Sequence, residues 1–183
     1  AYNSYDESMR TSDRLIARTT DRFTREEAIV NRSRTYLNLA TVAFHLGDHG
    51  RARELLKLAH RDRSSVLEAD DPQLLAIQQR FADLEIEAGN LERARVLATD
   101  VLRAAERAYG THSEESRRAC YQLGDIRRRQ GDLHQADSLF ARSIATAPLG
   151  KDRDTDAVLH LALQGRAEVR MATQRWSEAI TDL

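Results

Sequence analysis

The chain has 183 residues, 31% of them charged but only 5% aromatic, and its formal net charge is −1. That near-neutral balance supplies no field to draw it to nucleic acid or a membrane surface, and so many charges with so few rings argue against a sandwich or barrel. One cysteine, Cys120, excludes an internal disulfide framework and fits a reducing, cytoplasmic setting, while no apolar run of about 18 residues spans a bilayer and no signal peptide is visible.

From the N-terminus, Tyr5 to Asp21 reads as a helix with a thin apolar stripe of Met9, Leu15 and Ile16, so residues 1–23 are expected to form a capping helix or the remnant of an upstream repeat. Thr24 with Glu27 has capping-box spacing and is predicted to start the first full repeat. A broad face of Ile29, Tyr36, Leu37, Leu39, Val42, Phe44 and Leu46 makes its first helix, and a return helix from about His49 to Glu68 turns Leu55, Leu56, Leu58 and Ala59 inward. Asp71-Pro72 pairs a helix-capping residue with a proline at the first helical position. Helices over 73–88 and 91–109 follow, then a break at Gly110 to Ser113, with Thr111 and Glu114 again at capping-box spacing. A third pair is predicted over 115–130 and 133–147, ended by Pro148-Leu149-Gly150. Beyond the polar stretch Lys151 to Asp156 comes a fourth pair, 157–173 and Trp176 onward. Two prolines and eight glycines suit a nearly all-helical chain. The chain begins Ala1-Tyr2 and stops at Leu183, early in a helix, so it is read as a piece of a larger protein with an apolar face left uncovered at its end.

These pairs are copies of one pattern. Gly47, Gly89 and Gly131 stand 42 residues apart, each followed after five residues by an alanine: Ala52, Ala94, Ala136. Seven residues before each glycine is a small residue (Ala40, Ala82, Gly124), preceded by a large apolar one (Leu39, Phe81, Leu123). Ala167 and Ala179 mark a looser fourth copy. A glycine at the end of a helix takes the left-handed conformation without steric cost, and Asp48, Asn90 and Asp132 directly after it are residue types that cap the next helix. The small residues let two helices approach closely, so each copy is a helix, a tight turn and a helix. Leu91, Leu133 and Trp176 fill a further apolar slot in which His49 is the odd member.

The spaced large-apolar, small, Gly and Ala positions resemble the tetratricopeptide repeat family, whose usual period is about 34 residues. At 42 residues the period looks like the longer-helix form of kinesin light chains and many bacterial proteins, and Glu106-Arg107-Ala108-Tyr109-Gly110-Thr111-His112 resembles the linker of that form. The resemblance runs from about Thr24 to Leu183. It implies an all-α, right-handed solenoid of four repeats, about 24–69, 70–110, 111–150 and an incomplete 151–183. In that family the first helix of each repeat lines a concave groove. Laid on this chain, the groove position just after the small residue reads Thr41, Asp83, Asp125, Glu168. A neighbouring column reads Asn38, Arg80, Gln122, Gly165, and a third Leu37, Gln79, Tyr121, Gln164. Asn and Gln offer donors and acceptors to an extended peptide backbone, and a file of acids would favour Lys or Arg on that peptide. Against this stands a solvated surface, since Arg80 could neutralise Asp83, and Arg128 and Arg129 could neutralise Asp125, within their own helices. Glu168 has no such local partner, and Asn38, Gln79, Gln122 and Gln164 are expected to face open solvent.

No enzyme or cofactor motif is present: no phosphate-cradling glycine loop, no His-Glu-x-x-His, no paired Cys. The six histidines lack metal-ligand spacing, and Cys120 shares an apolar stripe with Leu123, as a core thiol does. Arg117, Arg118, Arg127, Arg128 and Arg129 form the densest basic cluster, read either as a solvated face or as a pocket for an acidic peptide or phosphate. The expected function is a non-catalytic scaffold, a regulatory part of a larger protein, that binds a protein or peptide in the groove, with no cofactor, nucleic acid or membrane, and self-association through the open C-terminal end as a further route. The alternative is a ligand- or peptide-sensing domain of a bacterial signalling protein such as a kinase, cyclase or transcription regulator, which would need a closed pocket. The strong arginine bias, with lysine only at Lys57 and Lys151, is taken as a sign of a GC-rich bacterial source.

Overall fold

The computed structural model describes residues 2–147 and 156–182, with side chains from Glu7 onward. The expected breaks at Pro148-Leu149-Gly150 and in the stretch after it up to residue 155, and the terminal Leu183, lie outside the described residues. Within them the chain is all-α: α1 (Tyr2–Arg18), α2 (Arg22–His45), α3 (His49–Ser64), α4 (Pro72–Glu87), α5 (Leu91–Tyr109), α6 (Glu114–Arg129), α7 (Leu133–Ala145), α8 (Ala157–Ala172) and α9 (Trp176–Asp182). It divides into two compact units, Ala1–Leu84 and Glu85–Leu183.

The turns follow from backbone chemistry. Gly47, Gly89 and Gly131 have φ of 77°, 75° and 81°, the left-handed region that L side chains avoid. The N–H of the next residue reaches back to close the helix: Asp48 to the Ala43 carbonyl (2.9 Å), Asn90 to Glu85 (2.8 Å) and Asp132 to Arg127 (3.0 Å). The fourth turn closes the same way, Arg175 N–H to Arg170 O at 2.8 Å, although Gln174 with φ of 60° takes the glycine's place. Asp48 and Asp132 then accept the N–H groups of Arg51 and Gln135. Asn90 makes no such cap; its side-chain amide donates to Glu85 at 2.9 Å.

Two predicted starts are corrected. The N-cap of α2 is Asp21, not Thr24: its carboxylate accepts both the backbone N–H (2.7 Å) and the hydroxyl of Thr24. The N-cap of α6 is Ser113, not Thr111, and its hydroxyl oxygen accepts the Ser116 N–H at 3.1 Å. In both places the better-placed acceptor directly before the apolar run wins over a capping-box spacing.

In the first unit Ala40, Ala43, Ala52 and Ala59 let α2 and α3 approach closely, and Leu55, Leu56, Leu74, Ile77 and Leu84 fill the space beside them. Each of these larger side chains is at most 4% exposed, and such burial stabilises by about 1.5–3 kcal/mol per side chain. Arg32 ties three helices together, holding Asp62 of α3 through two hydrogen bonds (2.8 and 2.9 Å) and Asp13 of α1 through a third (2.7 Å). Buried Arg63 donates to the Ser33 hydroxyl (2.8 Å) and to Gln73, and its burial, with Arg34 nearby, lowers its pKa.

In the second unit Phe140 of α7 is wholly buried, and its ring fills the room left by Gly124 of α6 and Gly165 of α8. Ala94, Ala98, Ala119, Ala136, Ala162 and Ala167 are fully buried. Arg117 of α6 and Asp156 at the start of α8 form a buried pair at 2.9 Å. Arg117 is therefore no part of a surface basic patch. In α9 the buried residues are Ala179 and Asp182, the latter held by Arg166 and Arg170 of α8. Trp176, read from the sequence as filling the same apolar slot as Leu91 and Leu133, is 59% exposed, and Ile180 is 75% exposed.

Candidate functional site

The groove columns meet different fates in the two units. In the first, α2, α3 and α4 enclose an open cleft of about 280 Å³. Five of the six expected groove residues of this unit line it: Leu37, Asn38 and Thr41 from α2, with Arg80 and Asp83 from α4. Gln79, the sixth, is not in the lining. The floor is apolar, built by Ala40, Phe44, Leu56, Ile77 and Leu84, and the polar groups form the rim. Asn38 and Arg80 are exposed, while the Thr41 hydroxyl already donates to the Leu37 carbonyl at 3.0 Å. Arg34 also lines the cleft and was missed from sequence, although it stands one turn before Asn38 on the same face of α2. The arrangement can take an apolar side chain on its floor and offer an amide and two guanidiniums to a peptide at its edge.

In the second unit the same columns are used up by the fold. Gln122, expected to face solvent, is 7% exposed, and Gly165 of the same column is buried beneath Phe140. The ring of Tyr121 packs against Phe140, centroids 6.1 Å apart. Asp125 accepts hydrogen bonds from Arg128 (2.6 Å) and Arg129 (2.8 Å). Glu168, expected to be the free acid, lies 3.0 Å from Arg128 and also accepts from the exposed Gln164 at 3.3 Å. Burial works against the charge of Arg128, but the Asp125 hydrogen bonds and nearby Glu168 outweigh it and raise the guanidinium above its ordinary value. These acids present no vacant charge to a basic ligand.

Cys120 is 1% exposed, and burial pushes its thiol up to about 11, which keeps it protonated at neutral pH. Among the described residues no group of His, Cys, Asp and Glu is placed to hold a metal ion, and no helix is long and apolar enough to cross a membrane.

Comparison with known proteins agrees with the all-helical repeat architecture. Two tetratricopeptide repeat models match residues 31–107 and 118–148, together more than half of the chain. No curated protein matches the sequence significantly. Among solved structures, BtubC (BKLC) from P. vanneervenii is similar over all of this chain and 69% of its own, with a TM-score of 0.79 and 19% identity. A putative kinesin light chain of Podosopora anserina with nearly identical TPR-like repeats is similar over 99% of this chain and 84% of its own, at 16% identity and a TM-score of 0.60. A point variant of that protein gives the same coverage and identity with a TM-score of 0.61. At these identities the likeness is one of fold, an α-solenoid of helix pairs. The chain belongs to the tetratricopeptide repeat family, and its fold is like that of these solved repeat proteins.

Proposed function

We propose that the chain is a non-catalytic protein-interaction module that holds an extended partner segment in the cleft of the first unit. Tetratricopeptide repeats in general bind proteins, and the observation that carries the finer reading is the meeting of Leu37, Asn38, Thr41, Arg80 and Asp83 around one apolar floor. The partner lays an apolar side chain on Phe44, Leu56 and Ile77, and its backbone meets the Asn38 amide, which can donate and accept at once. The corresponding surface of the second unit serves the fold instead, through its Asp125–Arg128–Glu168 network.

The test is titration of a display-selected peptide against the wild type, Asn38→Ala, Arg80→Ala and Glu168→Gln. The two cleft variants are expected to weaken binding about tenfold, near 1.4 kcal/mol, while Glu168→Gln leaves it unchanged. Equal affinity for all four proteins would place binding outside the cleft.

A further inference from the structure

A second concavity lies on the other side of α2. It measures about 690 Å³ and is lined by Glu7, Ser8, Thr11, Ser12 and Leu15 of α1 and by Thr24, Glu27, Asn31, Arg34, Thr35 and Asn38 of α2. Arg34 and Asn38 line both this groove and the α2–α4 cleft, so the two flank a single ridge. Along that ridge Asn31, Arg34 and Asn38 recur at helical spacing, and Asn31 and Asn38 are about 10 Å apart at 1.5 Å per residue. Three residues of extended chain, at about 3.3 Å each, cover the same distance, and their side chains alternate between opposite sides.

The groove also holds polar groups whose bonding capacity the fold leaves over. Ser12 is only 5% exposed, and its hydroxyl makes no hydrogen bond with a described residue. The exposed carboxylates of Glu7 and Glu27 form no ion pair with a described residue. Among the described lining residues Arg34 is the sole cation beside the acids Glu7 and Glu27, so these residues together carry a net negative charge, whereas Arg34 and Arg80 outnumber Asp83 in the cleft.

We propose that the partner segment lies extended along the Asn31–Arg34–Asn38 ridge and sends alternate side chains into the two concavities, apolar ones into the α2–α4 cleft and lysine or arginine ones into the α1–α2 groove. The apolar half rests on the function proposed above; the α1–α2 half is new and makes α1 a binding element rather than a cap. An ammonium or guanidinium in the groove meets Glu7 and Glu27 from opposite helices and is within reach of the Ser12 hydroxyl as acceptor. The recognised chemistry is therefore a short extended segment in which apolar and basic residues alternate.

The experiment uses two fluorescent peptides of one composition, Leu-Lys-Leu-Lys-Leu and Leu-Leu-Leu-Lys-Lys, titrated by anisotropy against the full chain, a Glu7→Gln/Glu27→Gln double variant and Arg80→Ala. Circular dichroism checks that these exposed substitutions leave the fold intact. The alternating peptide is expected to bind the wild type about tenfold more tightly than the block peptide, and the double variant to abolish that preference. Equal binding of both peptides, unaffected by the double variant but weakened by Arg80→Ala, overturns the α1–α2 groove and leaves the cleft standing. Binding of neither peptide overturns the alternating register, and if Asn38→Ala also leaves a display-selected ligand unaffected, the cleft falls with it.

Discussion

The Arg128 guanidinium stands 3.0 Å from Glu168 and 2.6 Å from Asp125, so one side chain of α6 answers an acid on its own helix and another on α8, forty residues further along the chain. Glu168 is 38% exposed and Arg128 30%, which limits the pair to about 1 kcal/mol or less. Glu168→Gln is accordingly expected to lower the unfolding free energy by under about 1 kcal/mol while leaving partner affinity unchanged. Chemical denaturation and the same titration read both quantities. A tenfold loss of affinity would return Glu168 to the binding face.

Phe140 gives a packing test. A Cβ added at Gly165 would stand 2.6 Å from the ring, and one at Gly124 2.9 Å, closer than carbon atoms tolerate. Alanine in a helix normally gains about 1 kcal/mol over glycine, but overpacking costs about 1–3 kcal/mol. Gly165→Ala is expected to destabilise on balance, and Phe140→Leu to recover part of the loss when combined with it. Simple additivity of the two changes in a denaturation cycle would show that ring and glycine are not coupled.

What could be read from the sequence was whatever repeats locally. The 42-residue spacing of Gly47, Gly89 and Gly131 located three left-handed turns, because a turn's chemistry is contained in a few consecutive residues. The alanines five residues later are 1% exposed or less, as close helix approach requires. Partnership between distant residues was not legible. Glu168 looked free because only neighbours within one helical turn can be counted along a sequence, and Arg128 lies on another helix. Gln122 and Gly165 share a column with Asn38 and Arg80, yet only the latter two are exposed: the Phe140 ring lies over Gly165, and Gln122 is buried within the second unit. Arg34 was within reach: its spacing from Asn38 is the same periodicity that found the rest.

Gln174 is the one described residue other than glycine with positive φ, and it occupies the turn position that Gly131 holds one repeat earlier. A left-handed conformation costs a residue with a Cβ about 1 kcal/mol or more. Gln174→Gly should raise the unfolding free energy by about 0.5–1 kcal/mol, and Gly131→Ala should lower it by about 1 kcal/mol. Nothing lies within 4 Å of a Cβ built at Gly131, so the second effect is conformational alone. Equal stability of Gly131→Ala and wild type in urea would contradict it.

The thiol of Cys120, with its pKa pushed up to about 11 by burial, should react with a thiol reagent at pH 8 only after unfolding. Rapid labelling of the folded protein, with the far-ultraviolet dichroism unchanged, would contradict its place in the core.

The buried Arg117–Asp156 pair sets the pH test. Burial alone would raise the Asp156 carboxyl, but the Arg117 hydrogen bond and the Leu159 N–H outweigh it and hold the group below its ordinary value. A carboxyl whose folded pKa lies below its unfolded one, about 3.9, contributes stability that is complete above the unfolded value and is lost as pH falls through the folded one. Wild-type stability should therefore decline below about pH 4 partly through this group, and Asp156→Asn, which keeps an oxygen for the Leu159 N–H, should flatten that decline. Arg117→Met should cost about 3–5 kcal/mol at neutral pH, because it leaves a buried carboxylate without its cation. Adding Asp156→Asn to Arg117→Met removes the stranded charge and should restore much of the loss. A double variant no more stable than Arg117→Met at pH 7 would show that the arginine acts by packing rather than by its charge.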